Sequence, residues 1–234
     1  MNIVILTGAG ISAESGIETF RDAGGLWENH RIEDVATPEG YARDPDLVQR
    51  FYNLRRAALK TVKPNAAHIA LAKLEHRLLR QDGSVTLVTQ NVDDLHERGG
   101  STDVIHMHGQ LTSVFCTACN HRWNHAQDIK TGQICITCKT SDTTRPDIVW
   151  FGEMPYHMDR IEAALSSCDL FVSIGTSGAV YPAAGFVQMA TAYGAQTLEL
   201  NLERSQGSHY FDDSQLGPAS KIVPQWVDAV LNEN

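Results

Sequence analysis

The stretch IVILTGAGISAESG, residues 3–16, joins a short apolar run to a glycine-rich turn. The run shows no polar alternation, which is typical of a parallel strand covered on both faces. Residues Gly8 to Ala13 satisfy the pattern G-x-G-x-x-[G/A], whose glycines let main-chain N–H groups approach a pyrophosphate. The match alone is a weak signal, because a glycine turn without a ligand can look the same. Its position directly after a strand favours dinucleotide binding.

Similar apolar runs recur along the chain. They are VTLVT (85–89), DIVWFG (147–152), LFVSIG (170–175) and TLELNL (197–202). Helical patterns lie between and after them, including AAGFVQMATAYG, which ends at Gly194, and VPQWVDAVL, where we expect Pro224 near a first turn. This alternation predicts a doubly wound, Rossmann-like α/β fold with a parallel sheet.

Two insertions interrupt this rhythm. Residues 31–79 are helical in pattern, and Asp44 can cap a helix that has Pro45 at its first position. Apolar residues then recur on one face, which we expect to pack inward: Leu47, Phe51, Leu54 and Ala58. Residues 115–143 have little periodicity but contain cysteines. We predict that the two insertions form one small helical and zinc-ribbon module beside a nucleotide-binding domain of residues 1–30, 80–114 and 144–234.

Charge and hydropathy exclude several classes of protein. The 234 residues carry a net charge of -9, so no broad basic face for nucleic acid or an anionic membrane is indicated, and a basic peptide partner suits the chain better. No apolar run approaches the roughly 18 residues of a membrane span. The N-terminus also lacks the features of a signal peptide. We therefore expect a cytoplasmic protein.

The cysteines have the spacing of a zinc ribbon. Two C-x-x-C pairs, Cys116 with Cys119 and Cys135 with Cys138, are separated by 15 residues. Four thiolates complete a tetrahedral shell, so the metal should be structural and nearby histidines are not needed as ligands. We expect His121 and His125 at the surface. Cys168 should be a buried structural thiol, with a reactive nucleophile as the less favoured alternative.

The segment HMHG, residues 106–109, contains two histidines that point the same way on an extended chain. Gly109 lets a ligand or another main chain come close to His108. A neutral imidazole there could act as a general base near neutral pH. The alternative is a hydrogen-bonded structural histidine, and the residues by themselves leave both roles open.

A simple dehydrogenase would place an acidic residue about 20 positions after the glycines, to hold the adenosine ribose. The chain instead continues into GIETFRDAGGLW, where apolar Phe20 stands beside cationic Arg21. This departure tells against hydride transfer.

Together these motifs resemble the sirtuin family of NAD-dependent protein deacylases. The similar segments occur in the family's order and cover nearly the whole chain: GAGISAESGI with FRD, TQNVD (89–93), HMHG, the two C-x-x-C pairs, RPDIVWFGE (145–153), GTSGAVYPAAG (175–185) and LNLE (200–203). The resemblance implies NAD as a cosubstrate and one structural zinc ion per chain.

The resemblance also implies which residues contact NAD. They are Gly8, Ala9, Gly10, Ile11, Ser12, Phe20, Arg21, Trp27, Gln90, Asn91, Val92, Asp93, Gly175, Thr176, Ser177, Asn201, Leu202, Glu203 and Ala219. Asn91 and Asp93 would hold the nicotinamide carboxamide, and Glu203 would supply the acidic partner of the adenosine ribose. Without the resemblance, TQNVDDLH predicts only a strand end that caps a helix, which Asp94 could do.

The residues implied to bind substrate are Ala36, Tyr52, Arg55, Val149, Phe151, Gly152 and Glu153. A peptide would add as a strand to DIVWFGE, although an ordinary buried strand is the alternative. The pair Tyr52 and Arg55 resembles the acyl pocket of sirtuins that prefer acidic acyl groups, with Ala36 widening it. A succinyl or malonyl carboxylate would bind the guanidinium and phenol. The alternative is a solvated arginine beside a partly buried tyrosine.

The implied reaction is acyl transfer from a lysine side chain to ADP-ribose, with desuccinylase or demalonylase activity alongside deacetylation. His108 would take a proton from the ribose hydroxyls, and the products would be nicotinamide, O-acyl-ADP-ribose and free lysine. Alternatives are protein ADP-ribosylation within the same family and, less favoured, a zinc-ribbon nucleic-acid module. Acylated-lysine proteins are the expected partners, without nucleic acid or membrane. The sequence does not identify particular substrates or an oligomeric state.

Overall fold

A computed structural model describes residues 1–17, 26–27 and 30–233, with only the main chain for Leu26, Trp27 and Glu233. The strands are β1 Asn2–Thr7, β2 Leu26–Trp27, β3 His30–Arg31, β4 Ser84–Thr89, β5 Val104–His106, β6 Gly109–Cys116, β7 Arg122–Asn124, β8 Thr144–Ile148, β9 Leu170–Ile174, β10 Gln196–Asn201 and β11 Asp213–Leu216. The α-helices are α1 Ala9–Ala13, α2 Ile32–Val35, α3 Pro38–Arg43, α4 Pro45–Ala58, α5 Ala66–Leu79, α6 Leu95–Arg98, α7 Met158–Leu165, α8 Phe186–Ala192 and α9 Ala219–Glu233. Within these ranges, no helix combines the length and apolarity that crossing a membrane requires.

Six parallel strands form the main sheet in the order β11-β10-β9-β1-β4-β5. Counted from β1, this is the 3-2-1-4-5-6 order of a doubly wound dinucleotide-binding fold. The predicted Rossmann-like parallel sheet is therefore confirmed. The strand order reverses between β1 and β9, and a ligand cleft is expected outside their carboxyl ends.

The side chains of β1 alternate between two cores, one on each face of the sheet. Ile5 joins a cluster that includes Leu74 of α5. Leu6 joins a second cluster that includes Phe186 of α8. Because both faces are covered, both sets of alternating side chains are apolar, which explains the unbroken run in the sequence.

The run DIVWFG was expected in the parallel sheet, and this prediction is wrong. The strand β8 ends at Ile148 and pairs antiparallel with β6, in a separate three-stranded sheet with β7. Since β6 leads into the cysteine-containing insertion and β8 returns from it, the two strands run in opposite directions. After Ile148 the chain turns, and Glu153 N donates to Trp150 O at 3.0 Å.

Helix α4 begins as predicted, with Pro45 at its first position and an Asp44 carboxylate that accepts from Leu47 N at 2.9 Å. The predicted inward face is correct for Phe51, which is 2% exposed, and for Leu47, which packs against the third cluster described below, but wrong for Leu54 and Ala58, which are exposed. Leu54 is 67% exposed, whereas Tyr52 and Arg55 are 0% and 7% exposed. The spacing of apolar residues did not identify this buried face, because the face carries the Arg55 guanidinium and the Tyr52 phenol.

A third apolar cluster joins α2 and α4 to Leu111 of β6 and Ile148 of β8. We propose the domain boundaries that the sequence indicates: residues 1–30, 80–114 and 144–234 for the larger domain, and 31–79 with 115–143 for the smaller. The third cluster crosses the proposed boundary, because Leu111 and Ile148 belong to the larger domain. Helix α5, which this division assigns to the smaller domain, packs in the first cluster against the main sheet.

Pro224 lies inside α9, not near its first turn as expected. The helix starts earlier because Lys221 N and Ile222 N both donate to Pro218 O, at 2.9 and 3.1 Å. Pro224 has no N–H, so it cannot donate the corresponding bond to Ser220.

Replacing Gly175 by alanine should destabilise the protein by about 3 kcal/mol or more, because a Cβ would meet Ile11 N at 2.5 Å in a backbone with φ +61°. Gly194 is the matched control, since its φ is +90° but its Cβ would have nothing within 4 Å. Gly194→Ala should cost only about 1 kcal/mol of backbone strain. Urea unfolding measures both variants, and equal losses would contradict the importance of the contact.

Candidate functional site

A cleft of about 1040 Å³ opens at the carboxyl ends of the parallel strands and continues to the small module. Its walls come from the segments after β1, β4, β9 and β10, together with α4 and the turn after β8. The position between β1 and β9 is where a doubly wound sheet binds a nucleotide. The volume is that of a large small-molecule site.

The glycine turns after β1 and β9 touch directly. Gly8 N donates to Ile174 O at 3.0 Å, and Gly10 N donates to Gly175 O at 2.9 Å. A Cβ on Gly10 would lie 2.7 Å from Gly175 Cα, so neither turn tolerates a side chain there. The two main chains consequently form one continuous floor without side chains, which a pyrophosphate could approach.

Most residues predicted to contact NAD line this cleft. They are Gly8, Ala9, Gly10, Ser12, Gln90, Asn91, Val92, Asp93, Gly175, Thr176, Ser177, Asn201, Leu202, Glu203 and Ala219. Ile11 is the exception, because its side chain is fully buried in a core cluster and does not line the cleft. Phe20 and Arg21 lie outside the described residues. Trp27 belongs to β2, but its side chain is outside the description.

Asn91, Asp93 and Ser12 form one buried polar group. Asn91 Nδ2 donates to Ser12 Oγ at 3.1 Å, and Ser12 Oγ donates to Asp93 Oδ2 at the same distance. Asp94 occupies the N-cap position of α6, as the alternative had it, but makes no side-chain capping bond, and Leu95 N donates instead to Asp93 Oδ1 at 3.0 Å. Burial raises the pKa of Asp93. The group is held rigidly by its own hydrogen bonds before any ligand binds.

Four buried polar residues behind this group were missed by the sequence analysis: Thr7, His68, Thr89 and His96. His96 Nε2 lies 2.9 Å from Thr7 Oγ1, which donates to Thr89 Oγ1, and Thr89 Oγ1 accepts from Asn91 N. Burial lowers the pKa of His68 to about 4 and that of His96 well below its ordinary value. The sequence did contain a signal for them. Thr7 and Thr89 each end an apolar run, and His96 is the last residue of TQNVDDLH.

On the side of the cleft predicted to receive adenosine, β10 ends at Asn201. Its Nδ2 donates to Thr176 O at 2.8 Å, which ties the segment after β10 to the turn after β9. Gln206 N donates to Ser177 O at 3.0 Å and adds a second link. Glu203, the acidic residue predicted to hold a ribose, lies on the cleft wall between these links.

The two histidines of HMHG differ in their surroundings. His108 lines the cleft, and its Nδ1 lies 3.1 Å from Gln90 O. Because a carbonyl only accepts, Nδ1 carries the hydrogen and Nε2 is left as an acceptor. Burial lowers the pKa of His108, which keeps the ring neutral near pH 7. His106 is 5% exposed and both of its ring nitrogens face protein acceptors, Asn91 O and the Glu97 carboxylate.

The other end of the cleft reaches α4. Arg55, Tyr52 and Ala36 all line it and are at most 7% exposed, so the alternative of a solvated arginine is excluded. Arg55 Nη1 donates to Phe51 O at 2.7 Å, and its guanidinium lies 3.2 Å from the centre of the Phe51 ring. Tyr52 Oη accepts from Trp150 Nε1 at 3.0 Å. Burial raises the pKa of Tyr52, so the phenol is neutral.

The turn after β8 forms the cleft's edge and contains Val149, Phe151, Gly152 and Glu153. Val149 N donates to His108 O at 2.9 Å, and Phe151 N donates to Ala36 O at 3.0 Å. The Glu153 carboxylate folds back and accepts from Trp150 N. The main-chain N–H groups of Val149 and Phe151 are therefore engaged inside the protein.

The four cysteine sulfurs lie within 4.8 Å of one another. Cys116 and Cys138 have their Sγ atoms 3.7 Å apart, as do Cys119 and Cys135. Tetrahedral zinc with Zn–S bonds of about 2.3 Å needs sulfurs about 3.8 Å apart, so the cluster fits a closed structural zinc site.

The remaining histidines and cysteine of the prediction lie elsewhere. His121 stacks on Trp123, and His125 contacts Asp128 O, and neither belongs to the sulfur cluster. Cys168 is 8% exposed, and burial raises its pKa, as expected of an unreactive structural thiol.

Comparison with known proteins identifies the family to which this chain belongs. The model of the Sir2 family matches residues 8–182. A protein of Vibrio parahaemolyticus named NAD-dependent protein deacylase is 61% identical over 232 residues, which cover 98% of this chain and 95% of the relative. The structure of a Sir2 homologue in complex with NAD superposes with a TM-score of 0.88 at 38% identity, covering 99% of this chain and 90% of the other.

The structure of Sir2 bound to an acetylated peptide is also similar, with a TM-score of 0.80 and 27% identity over 99% of this chain and 92% of that one. The fold, the cleft and the cysteine cluster thus occur in a chain whose sequence matches one family over most of its length. The chain belongs to the Sir2 family, the sirtuins.

Proposed function

We propose that this protein is an NAD-dependent protein-lysine deacylase that removes acidic acyl groups and retains deacetylase activity. The observation that carries the proposal is the arrangement of groups in one cleft. Bare glycine turns line one part of the cleft and Tyr52 with Arg55 another, while His108 contacts both Gln90 O after β4 and Val149 N after β8. With this arrangement, the acyl group of a substrate could reach a bound nucleotide next to His108, the proposed base.

NAD fits the nucleotide end of the cleft. The Gly8, Gly10 and Gly175 main chains leave room for a pyrophosphate, and the buried Asn91 and Asp93 offer complementary groups to a carboxamide. When bound, NAD would supply the ribose carbon that accepts the acyl group as nicotinamide leaves. Phe20, Arg21 and Trp27 remain predicted contacts.

His108 is the proposed general base. Its Nδ1–H is held by Gln90 O, which fixes the ring and leaves Nε2 to accept a proton from a hydroxyl in the cleft. Its lowered pKa means that the neutral, accepting form predominates at neutral pH. His106 has a structural role in this proposal, because its nitrogens already contact protein acceptors.

Arg55 and Tyr52 are proposed to recognise a distal carboxylate, as in succinyl- or malonyl-lysine. A guanidinium in a buried pocket attracts an anion far more strongly than one in water. Ala36 leaves space for the longer acyl chain. The turn from Val149 to Glu153 is proposed to hold the substrate peptide by main-chain hydrogen bonds.

We also propose that the four cysteines bind one zinc ion as a structural brace for the small module. A four-thiolate site has no open position, so the metal takes no part in acyl transfer. Cysteines that bind a metal instead of forming disulfides suit a reducing compartment, and we propose that the protein works in the cytoplasm.

Purified protein with NAD and a panel of acyl-lysine peptides of one sequence tests the activity. We expect stoichiometric nicotinamide, free lysine and O-acyl-ADP-ribose, identified by mass spectrometry. Nicotinamide release with ADP-ribose attached to protein, without lysine deacylation, would replace this function with ADP-ribosyl transfer.

His108→Ala should lower deacylation by about 100-fold or more, the scale for loss of a positioned base. His106→Ala is the matched control and should cost far less. Because burial holds the pKa of His108 below 6.5, the acidic limb of the kcat/KM profile should lie below that pH. Equal losses in the two variants would mean that His108 is not the base.

Arg55→Met should lower kcat/KM for succinyl-lysine peptides by about 30-fold to several thousand-fold, equivalent to about 2–5 kcal/mol, because the acyl carboxylate loses its charged partner. The acetyl peptide should lose much less. Tyr52→Phe should give a smaller loss of the same kind. An equal loss on both peptides after Arg55→Met would show that Arg55 serves the fold or the nucleotide instead.

Metal analysis should find one zinc ion per chain. Cys116→Ser should prevent recovery of soluble, zinc-loaded protein, because structural zinc contributes roughly 10 kcal/mol or more in small zinc peptides. Cys168→Ala is the control, since Cys168 lies outside the cluster, and it should keep the metal. A Cys116→Ser protein with full stability and zinc content would refute the site.

A further inference from the structure

Trp150 lies where the peptide edge meets the acyl pocket. It follows Val149 in the turn after β8, and its side chain is 3% exposed in the third apolar cluster. A buried indole N–H needs an acceptor, and here it donates to Tyr52 Oη at 3.0 Å. The two residues are 98 positions apart in the chain, so the contact is purely tertiary.

The direction of this hydrogen bond determines whether the Tyr52 hydroxyl can donate a hydrogen bond of its own. An indole nitrogen only donates, so Tyr52 must accept, and its own hydroxyl proton points to a different partner. Accepting one hydrogen bond also polarises a hydroxyl and strengthens the bond that it donates. Trp150 therefore prepares Tyr52 as a donor, which is the property that an anionic acyl group requires.

Trp150 is itself fixed from two further sides. Arg145, 5% exposed, lies with its guanidinium carbon 3.9 Å from the centre of a Trp150 ring. The same guanidinium donates to both Glu153 carboxylate oxygens, at 2.8 and 3.0 Å. Glu153 Oε2 in turn accepts from Trp150 N at 2.9 Å. The indole consequently has one position relative to the peptide edge.

We propose that Trp150 is a positioning residue for acyl specificity: its indole N–H orients the Tyr52 hydroxyl toward the distal carboxylate of the acyl group. Arg145 and Glu153 hold the indole in place, so the peptide edge and the acyl pocket are ordered together. The inference rests on the proposed preference for acidic acyl groups. It assigns Glu153 a bracing role for its side chain, with substrate contact left to its main chain.

The test is a double-mutant cycle on kcat/KM for succinyl and acetyl peptides of one sequence. Trp150→Phe removes the N–H donor and keeps an aromatic ring. It should lower the succinyl-to-acetyl ratio of kcat/KM by about 5- to 10-fold, the scale of one hydrogen bond. In a Tyr52→Phe background the same substitution should change the ratio less than about twofold, because the hydroxyl it acts through is absent.

Trp226→Phe is the matched control, because Trp226 is a 7% exposed core tryptophan of the first apolar cluster, and it should leave the ratio unchanged. If Trp150→Phe is not soluble, benzothienylalanine at position 150 keeps the shape of the indole and replaces N–H by sulfur. It should give the same fall in the ratio.

The inference is overturned if Trp150→Phe lowers both activities equally, or if its effect on the ratio is the same with and without the Tyr52 hydroxyl. Failure of the proposed function gives different results. If the proposed function is wrong, the wild type shows no succinyl activity, or Arg55→Met lowers succinyl and acetyl activity to the same extent. If the wild type prefers succinyl-lysine through Arg55 but the ratio does not change when the indole N–H is lost, only the proposed role of Trp150 is rejected.

Discussion

The close contact between the glycine turns after β1 and β9 constrains the rest of the structure. A Cβ on Gly8 or Gly10 would lie 2.8 Å or less from an atom of Gly175, and one on Gly175 would reach Ile11 N. Because β1 and β9 are adjacent parallel strands whose crossovers leave in opposite directions, only bare main chain fits between their ends. The same absence of side chains creates the floor of the cleft.

Around that floor the protein buries polar groups that must be satisfied internally. The Asn91 amide, the Ser12 hydroxyl and the Asp93 carboxylate bind one another, and the Thr7 and Thr89 hydroxyls connect them to His96. A low dielectric strengthens such bonds and makes each lost one costly. The nucleotide end of the cleft is consequently rigid. Desolvation also lowers the pKa of His108 and so suits it to proton acceptance.

The end of the cleft beside α4 is ordered by a different set of contacts. Arg55 is buried against Phe51, while the Tyr52 phenol is held by Trp150 of the turn after β8. Burying a guanidinium costs free energy that its contacts inside the protein must offset. The inward face of α4 therefore carries polar groups that the apolar pattern of the sequence does not reveal.

The sequence by itself determined the features that depend on near neighbours or on spacing. Unbroken apolar runs predicted the strands β1, β4, β9 and β10, Asp44 and Pro45 predicted the start of α4, and the cysteine pairs predicted one metal cluster. Only the tertiary structure decided the antiparallel pairing of β8, the burial of Arg55 and the bond from Trp150 to Tyr52. The periodicity of apolar residues indicates which faces of a strand or helix are buried. It does not identify the residues, distant in the chain, that pack against those faces or complete their hydrogen bonds.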